Sequence, residues 1–336
     1  MRKGVLIVTN GSDPLQNYVL SILVKRLQNE CYEAMVLSEA HLTQEWLLEA
    51  IKEHTPRHVV VNDLILLPED LTKVKEQTHG VRFYIRDVNT HPSFYKPDLF
   101  HLIKEYNSHG IKYLTRTHTI FQFRRLLEKI GMNPEYIQWA PDVYLIRSAD
   151  PWKYGKEWGT PFKIGHYNRH STIEENTTLQ FMATAEFSFK SNRETQFNML
   201  SVNDFPFSNE IQNLHHMSED LGVIDLKLFP NLSMRDLEYQ IRDLDILSHV
   251  SRVDTLLIDA IAASFNVPIV TACGNRILGK YSQVDSDYPS QMANKYLEIF
   301  KEGPFRRWWR STRQKSQMNK FFSDGVKKWL DIFLKS

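Results

Sequence analysis

The feature that most constrains this chain is a recurring grammar: a short apolar run, a polar or glycine-containing turn, then a stretch with its apolar residues on one helical face. Val5-Leu6-Ile7-Val8-Thr9 is ended by Asn10-Gly11-Ser12-Asp13-Pro14, which reads as a buried strand, a loop and a helix start. Leu15, Val19, Ile22, Leu23 and Leu27 then fall on one helical face, with Lys25, Arg26 and Gln28 turned elsewhere. Further runs follow at Glu33–Ser38, His58–Asn62, Val81–Ile85 and Ile111–Thr115, separated by helical stretches such as Thr43–His54 and Asp98–His109. Apolar strands alternating with amphipathic helices imply a parallel sheet covered on both faces.

The pattern breaks across residues 149–161, a segment rich in Gly, Pro and aromatic residues that reads as a linker. The same grammar then restarts, with strands predicted at Phe162–Tyr167, Gln196–Ser201, Asp225–Leu228, Asp245–His249 and Val267–Thr271. A length of 336 residues suits two domains. The expectation is an α/β protein of two tandem Rossmann-like doubly wound domains, residues 1–150 and 160–320. A closing segment follows at 321–336, and a cleft is expected between the carboxyl ends of the two sheets.

Only Cys31 and Cys273 are present, which argues against a disulfide framework or a cysteine-built zinc site. The apolar run after Met1-Arg2-Lys3-Gly4 is too short for the core of a signal peptide, and no stretch reaches the roughly 18 apolar residues of a membrane span. The chain is therefore expected to be cytoplasmic and without a transmembrane segment. His166, His170, His215 and His216 lack carboxylates or cysteines at ligand spacing, so no obligatory metal is expected.

The net charge of +1 conceals an asymmetry: residues 301–336 carry ten Lys/Arg against three Asp/Glu, which leaves −6 for residues 1–300. Within this basic segment, residues 304–315 interleave Arg306, Arg307, Arg310 and Arg313 with Trp308 and Trp309. Three readings fit: a helix with both tryptophans packed inside and its arginines solvated, a contact for the phosphates of an anionic acceptor, or an anionic membrane surface.

The most specific stretch runs from Asp245 to Thr271. A strand ends at Ser248, a loop turns into a helix near Thr255, and Val267-Pro268-Ile269-Val270 starts the next strand. A helix N-terminus offers unpaired backbone N–H groups and the positive end of a dipole, which suits a diphosphate. Asp254, Thr255 and Leu256 would present those groups, although Asp254 serves equally as a simple N-cap. One turn on, Asp259 could accept hydrogen bonds from ribose hydroxyls, or act as an ordinary first-turn carboxylate. Arg169, just beyond the strand predicted at Phe162–Tyr167, would neutralise diphosphate charge or lie solvated in a loop.

This stretch resembles the nucleotide-sugar-binding segment of glycosyltransferases with the two-Rossmann (GT-B) fold, of the retaining, family-4 kind. Phe162-Lys163-Ile164-Gly165-His166-Tyr167-Asn168-Arg169 resembles the first strand of that family's C-terminal domain and its basic phosphate loop. Residues 228–237 resemble a short strand, turn and helix, and residues 321–333 resemble a final helix that crosses back toward the N-terminal domain. The family often has two Glu residues eight positions apart where this chain has Ser251 and Asp259, so any charge contact of the first Glu with the donor sugar is changed or lost. In the N-terminal half, Gly11-Ser12 resembles the family's glycine loop near donor and acceptor. Asp87 and His91, in the segment after Tyr84, stand where the family often has an Asp or His beside the transferred sugar; a histidine before proline also suits a plain turn.

The resemblance implies an enzyme that moves a sugar from a nucleoside diphosphate sugar, a UDP-sugar foremost, to a hydroxyl acceptor. That acceptor would be a hydroxymethylated base in DNA, as in phage-type DNA glycosyltransferases, or a glycan or lipid-linked precursor. The Asp254–Leu256 amides and Arg169 would stabilise the leaving diphosphate without a metal. A retaining reaction needs no dedicated protein base, whereas an inverting one would use Asp87 or His91. A sugar-nucleotide epimerase or hydrolase of the same architecture, and a noncatalytic nucleic-acid-binding protein using the basic tail, are the competing readings.

Overall fold

The computed structural model describes residues 3–11, 14–30, 32–62, 66–86, 97–116, 135–137, 158–168, 176–205, 209–250, 256–272, 282–284 and 288–335. The chain divides into two units, Met1–Asp142 together with Phe322–Ser336, and Val143–Phe321.

In the first unit, β1 (Lys3–Thr9), α1 (Pro14–Asn29), β2 (Tyr32–Ser38), α2 (Gln44–His54), β3 (His58–Asn62), α3 (Pro68–Gln77), β4 (Arg82–Arg86), α4 (Pro97–Ser108), β5 (Lys112–Arg116) and β6 (Glu135–Ile137) follow in order. The strands pair parallel in the order β2-β1-β3-β4-β5-β6. The continuous apolar run of β1 has a direct cause, since successive side chains leave opposite faces and both faces are covered. Leu6 and Val8 join Val59, Val61, Phe83 and Ile85 under Leu47, Leu71, Val74 and Ile103 of the helices. Val5 and Ile7 point the other way, against Leu20, Leu23 and Leu27 of α1. Helix α2 begins where Thr43 caps it, its side chain accepting from the Trp46 backbone N–H at 3.2 Å.

The second unit contains β7 (Phe162–Tyr167), α5 (Thr177–Ser191), β8 (Thr195–Leu200), α6 (Asn209–Leu221), β9 (Ile224–Phe229), α7 (Met234–Asp243), β10 (Ile246–His249), α8 (Leu256–Ser264), β11 (Ile269–Ala272), β12 (Gln283–Val284) and α9 (Pro289–Phe300). Helix α10 (Pro304–Lys335) starts in this unit and ends among the residues of the first. The second sheet is also parallel, in the order β9-β8-β7-β10-β11-β12. Counted from β7, this is the 3-2-1-4-5-6 order of dinucleotide-binding domains.

The last turns of α10 complete the first unit's core. Trp329, Ile332 and Phe333 repeat at helical spacing on one face and are buried with Val5, Ile7, Val60 and Tyr84. The Phe333 ring lies 5.0 Å from that of His58 and 5.8 Å, edge-on, from that of Tyr84.

At the other end of α10 the packed-tryptophan reading is reversed. Trp308 and Trp309 are 46% and 39% exposed, while Arg310 is 4% exposed and ion-paired with the buried Glu302. The carboxylate eight residues earlier supplies a paired site for the guanidinium, which removes the cost of burying it alone.

Candidate functional site

Strand order in the second sheet reverses between β7 and β10, whose neighbours Ile164–Ile246 and Gly165–Leu247 lie in register. At such a reversal the following helices leave toward opposite faces, and a crevice opens beyond the carboxyl ends of the strands. Here those ends are Tyr167-Asn168 and His249-Val250, with the helix starts at Thr177 and Leu256 beyond them. Gly165 permits the close approach at this point, since a Cβ there would stand 2.2 Å from Leu244 Cδ1.

A buried polar network fixes these strand ends. The His166 Nδ1 faces the Ser248 carbonyl at 3.3 Å; because a carbonyl only accepts, Nδ1 carries the hydrogen and Nε2 accepts from the Thr177 hydroxyl at 3.1 Å. Burial pushes the His166 imidazole down to about 3, so it is neutral and structural. The Ser248 hydroxyl donates to Gln180 Oε1 at 2.6 Å and accepts from the Tyr296 hydroxyl at 2.6 Å, and burial raises the Tyr296 phenol. Asn176 donates to the Val250 carbonyl at 3.1 Å. The first turn of α5 therefore grips the end of β10.

On the other side of β10, His249 Nδ1 donates to Asp259 Oδ1 at 2.6 Å. The two side chains are 5% and 0% exposed. This short bond closes the strand–loop–helix turn and fixes the imidazole tautomer with hydrogen on Nδ1. Asn168, 2% exposed at the end of β7, has an amide nitrogen with no hydrogen-bond partner among the described residues. A buried donor at such a position is available to a ligand.

Of the residues expected from sequence, Asp259 and the start of α8 at Leu256 are placed at this end of the sheet. Arg169, Ser251, Asp254 and Thr255 lie outside the described residues, as do Ser12, Asp87 and His91 in the first unit. Gly11 follows β1 with φ +71°, and a Cβ there would stand 1.9 Å from Ser38 Oγ, so both backbone and space require glycine. The Gly11 carbonyl accepts from Asn17 Nδ2 at 2.9 Å.

Sequence reasoning missed His249 and Asn168 at the second sheet, and a buried set at the first. There Arg86 Nη1 donates to Asn62 Oδ1 at 2.7 Å, Asn62 Nδ2 to Thr9 Oγ1 at 3.4 Å, and the guanidinium lies 5.9 Å from the Trp329 ring centroid. The available signal was position: each of these residues is the last or the next residue of a parallel strand. Among the described residues no group of three or more His, Cys, Asp or Glu side chains could hold a metal.

No protein-family model matches the sequence, and no curated protein matches it. Solved structures match almost all of it. A glycosyltransferase from Rickettsia africae superposes with a TM-score of 0.72 at 14% identity, covering 99% of this chain and 98% of that one. Anabaena Alr3699/HepE in complex with UDP and glucose gives 0.70 at 11% identity, with 99% of each chain covered. An E. coli trehalose-6-phosphate structure bound with UDP-2-fluoro glucose gives 0.67 at 11% identity over 99% and 98%. Likeness at this identity is one of fold, and the fold is that of GT-B glycosyltransferases.

Proposed function

We propose that this chain is a glycosyltransferase that moves a sugar from a nucleoside diphosphate sugar to a hydroxyl acceptor, with the nucleotide held beyond the carboxyl ends of β7 and β10. The observation that carries this reading is the reversal of strand order at β7 and β10, with the start of α8 tied to the strand end by the His249–Asp259 bond. UDP is the favoured nucleotide, because two of the similar structures hold UDP or a UDP-sugar.

In the reaction the bond from the anomeric carbon to the diphosphate breaks, a bond to the acceptor oxygen forms, and the acceptor hydroxyl loses its proton. Negative charge gathers on the departing diphosphate. The Leu256 amide that opens α8, the Asp254 and Thr255 amides just before it in sequence, and the Arg169 guanidinium are assigned to stabilise it, with no metal required. Ser251 would approach the donor sugar without charge. Asp259 is wholly buried, so its assigned role in holding the ribose runs through His249, whose ring it orients. The free Asn168 amide is a further donor to the nucleotide. In the first unit Gly11, Ser12, Asp87 and His91 are assigned to the sugar and acceptor, with Asp87 or His91 taking the acceptor proton if the reaction inverts.

The acceptor is assigned only as a hydroxyl compound, with a hydroxymethylated DNA base and a glycan or lipid-linked precursor as the two classes to compare. Titrating the protein with UDP, GDP, ADP and their sugars while following its melting temperature tests the donor assignment, since a ligand that binds only the folded state raises it. An unmoved melting temperature with all of them would overturn the reading. Incubation with a donor that binds but with no acceptor, followed by sugar analysis, separates transfer from epimerisation or hydrolysis.

A further inference from the structure

The start of α10 displays aromatic side chains that a core would be expected to consume. Phe305, Trp308 and Trp309 are 75%, 46% and 39% exposed. Their i, i+3, i+4 spacing puts them on one helical face, and the Phe305 and Trp308 rings are 5.8 Å apart. Their outward aim is built in. Arg310, on the inner side, is ion-paired with buried Glu302, and the Arg307 guanidinium sits 3.8 Å from the Trp158 ring centroid while its Nε donates to the Glu302 carbonyl. Those contacts fix the rotation of the helix and leave the aromatic stripe facing water.

Within this segment the charge is almost all of one sign, although Glu298 of α9 lies 3.9 Å from the Arg310 guanidinium. Residues 301–315 carry Lys301, Arg306, Arg307, Arg310, Arg313 and Lys315 against the single acid Glu302, which Arg310 already engages. Arg306 and Arg313 are exposed, the latter 5.1 Å from the Trp309 ring centroid.

The stripe is also remote from the proposed donor site. Trp158 donates to the Phe300 carbonyl at 2.7 Å and packs on Phe162, the first residue of β7. The start of α10 therefore lies by the amino end of β7, whereas the nucleotide is assigned to the carboxyl end. Six residues of strand at roughly 3.3 Å each separate the two by about 20 Å.

From this combination we infer that the start of α10 is a membrane-association surface, seating Phe305, Trp308 and Trp309 in the interfacial layer of an anionic lipid bilayer with Arg306 and Arg313 among the headgroup phosphates. Tryptophan and phenylalanine partition to that layer, and flanking arginines supply the attraction to anionic lipid. No described helix is long and apolar enough to cross a membrane, so α10 lies on the surface. A nucleic-acid strand would need a groove that follows its backbone beside the stacking rings. Among the described residues, the start of α10 offers rings and charge on one helix face and no such track.

The test is co-sedimentation of the full chain with phosphatidylcholine vesicles with and without phosphatidylglycerol. Binding is expected only with phosphatidylglycerol, falling as salt rises. Phe305→Ser/Trp308→Ser/Trp309→Ser should lower the bound fraction by at least about tenfold, and Arg306→Gln/Arg313→Gln by about threefold to tenfold. All five side chains are exposed, so melting temperatures should stay near that of the wild type; if the triple variant melts early, the arginine pair carries the test. Wild-type protein that ignores anionic vesicles at low salt, or folded variants that bind as well as wild type, would refute the inference. So would single-stranded DNA binding that the triple substitution abolishes while vesicle binding persists.

Discussion

Substituting Asp259 probes the junction on which the donor assignment turns. Its carboxylate lies 2.6 Å from His249 Nδ1 in surroundings that leave the two side chains 0% and 5% exposed. A charge-assisted hydrogen bond there contributes about 1.5–3 kcal/mol, and a neutral amide acceptor about 1 kcal/mol, so Asp259→Asn should cost about 0.5–2 kcal/mol. Asp259→Ala also strands a buried donor and should cost about 3–5 kcal/mol. In a unit of this size each kcal/mol moves the melting temperature by about 2–4 °C, which gives about 1–8 °C for the amide and about 6–20 °C for alanine. The substitution is therefore not silent in the fold, contrary to a purely ligand-facing carboxylate. Calorimetric titration with UDP should show Asp259→Asn binding at least about tenfold more weakly, equivalent to 1.4 kcal/mol. A cycle with His249→Gln isolates the pair, because residues acting as one unit are not additive. If Asp259→Ala melts within about 1 °C of wild type, or the two substitutions add without coupling, the junction is misread.

Three further outcomes are expected. Gly165→Ala should lower the melting temperature by about 2–12 °C, since its Cβ meets Leu244 Cδ1 at 2.2 Å and overpacking costs about 1–3 kcal/mol; Leu244→Ala in the same chain should recover part of the loss. The folded-state value of about 3 for His166 lies below its ordinary 6.5, so the unfolded chain takes up a proton that the folded chain refuses. Stability from this group is complete above pH 6.5 and declines toward pH 3 by at most about 1.4 kcal/mol per pH unit, a slope that urea unfolding should find flattened in His166→Gln. Glu302→Ala leaves the Arg310 guanidinium buried without its carboxylate and should cost about 3–5 kcal/mol by urea unfolding, while Arg306→Ala nearby should be almost neutral.

Much of the fold was legible because both sheets are covered on both faces. That burial gives β1 and β3 their continuous apolar runs, Val5–Val8 and Val59–Val61, and the predicted His58–Asn62 and Phe162–Tyr167 coincide with β3 and β7. Strand order was not legible, since the alternation reads the same for β2-β1-β3 in one sheet and β9-β8-β7-β10 in the other. Strands β6 and β12, of three and two residues, are too short to show a period. Of the three readings of the tail, the packed-tryptophan one failed because it took residue type to set burial. Tryptophan was expected inside and arginine outside, but Arg310 goes in through Glu302, beyond the bend between α9 and α10, where helical periodicity gives no warning. At the site, Asp259 stood out by its place in a helix turn, whereas His249 did not. Their bond joins a strand end to a helix start ten residues later, and only folding brings the two together.

The first unit is not one stretch of chain. Its sheet is built from residues before 142, yet Trp329, Ile332 and Phe333 cover the face formed by Val5, Ile7, Val60 and Tyr84. During synthesis the 179 residues of Val143–Phe321 must be made first, which at 5–20 residues per second takes roughly 9–36 s. Throughout that interval the part of this face that α1 leaves to Trp329, Ile332 and Phe333 lacks its cover, so residues 1–142 expressed alone should be less soluble than the full chain.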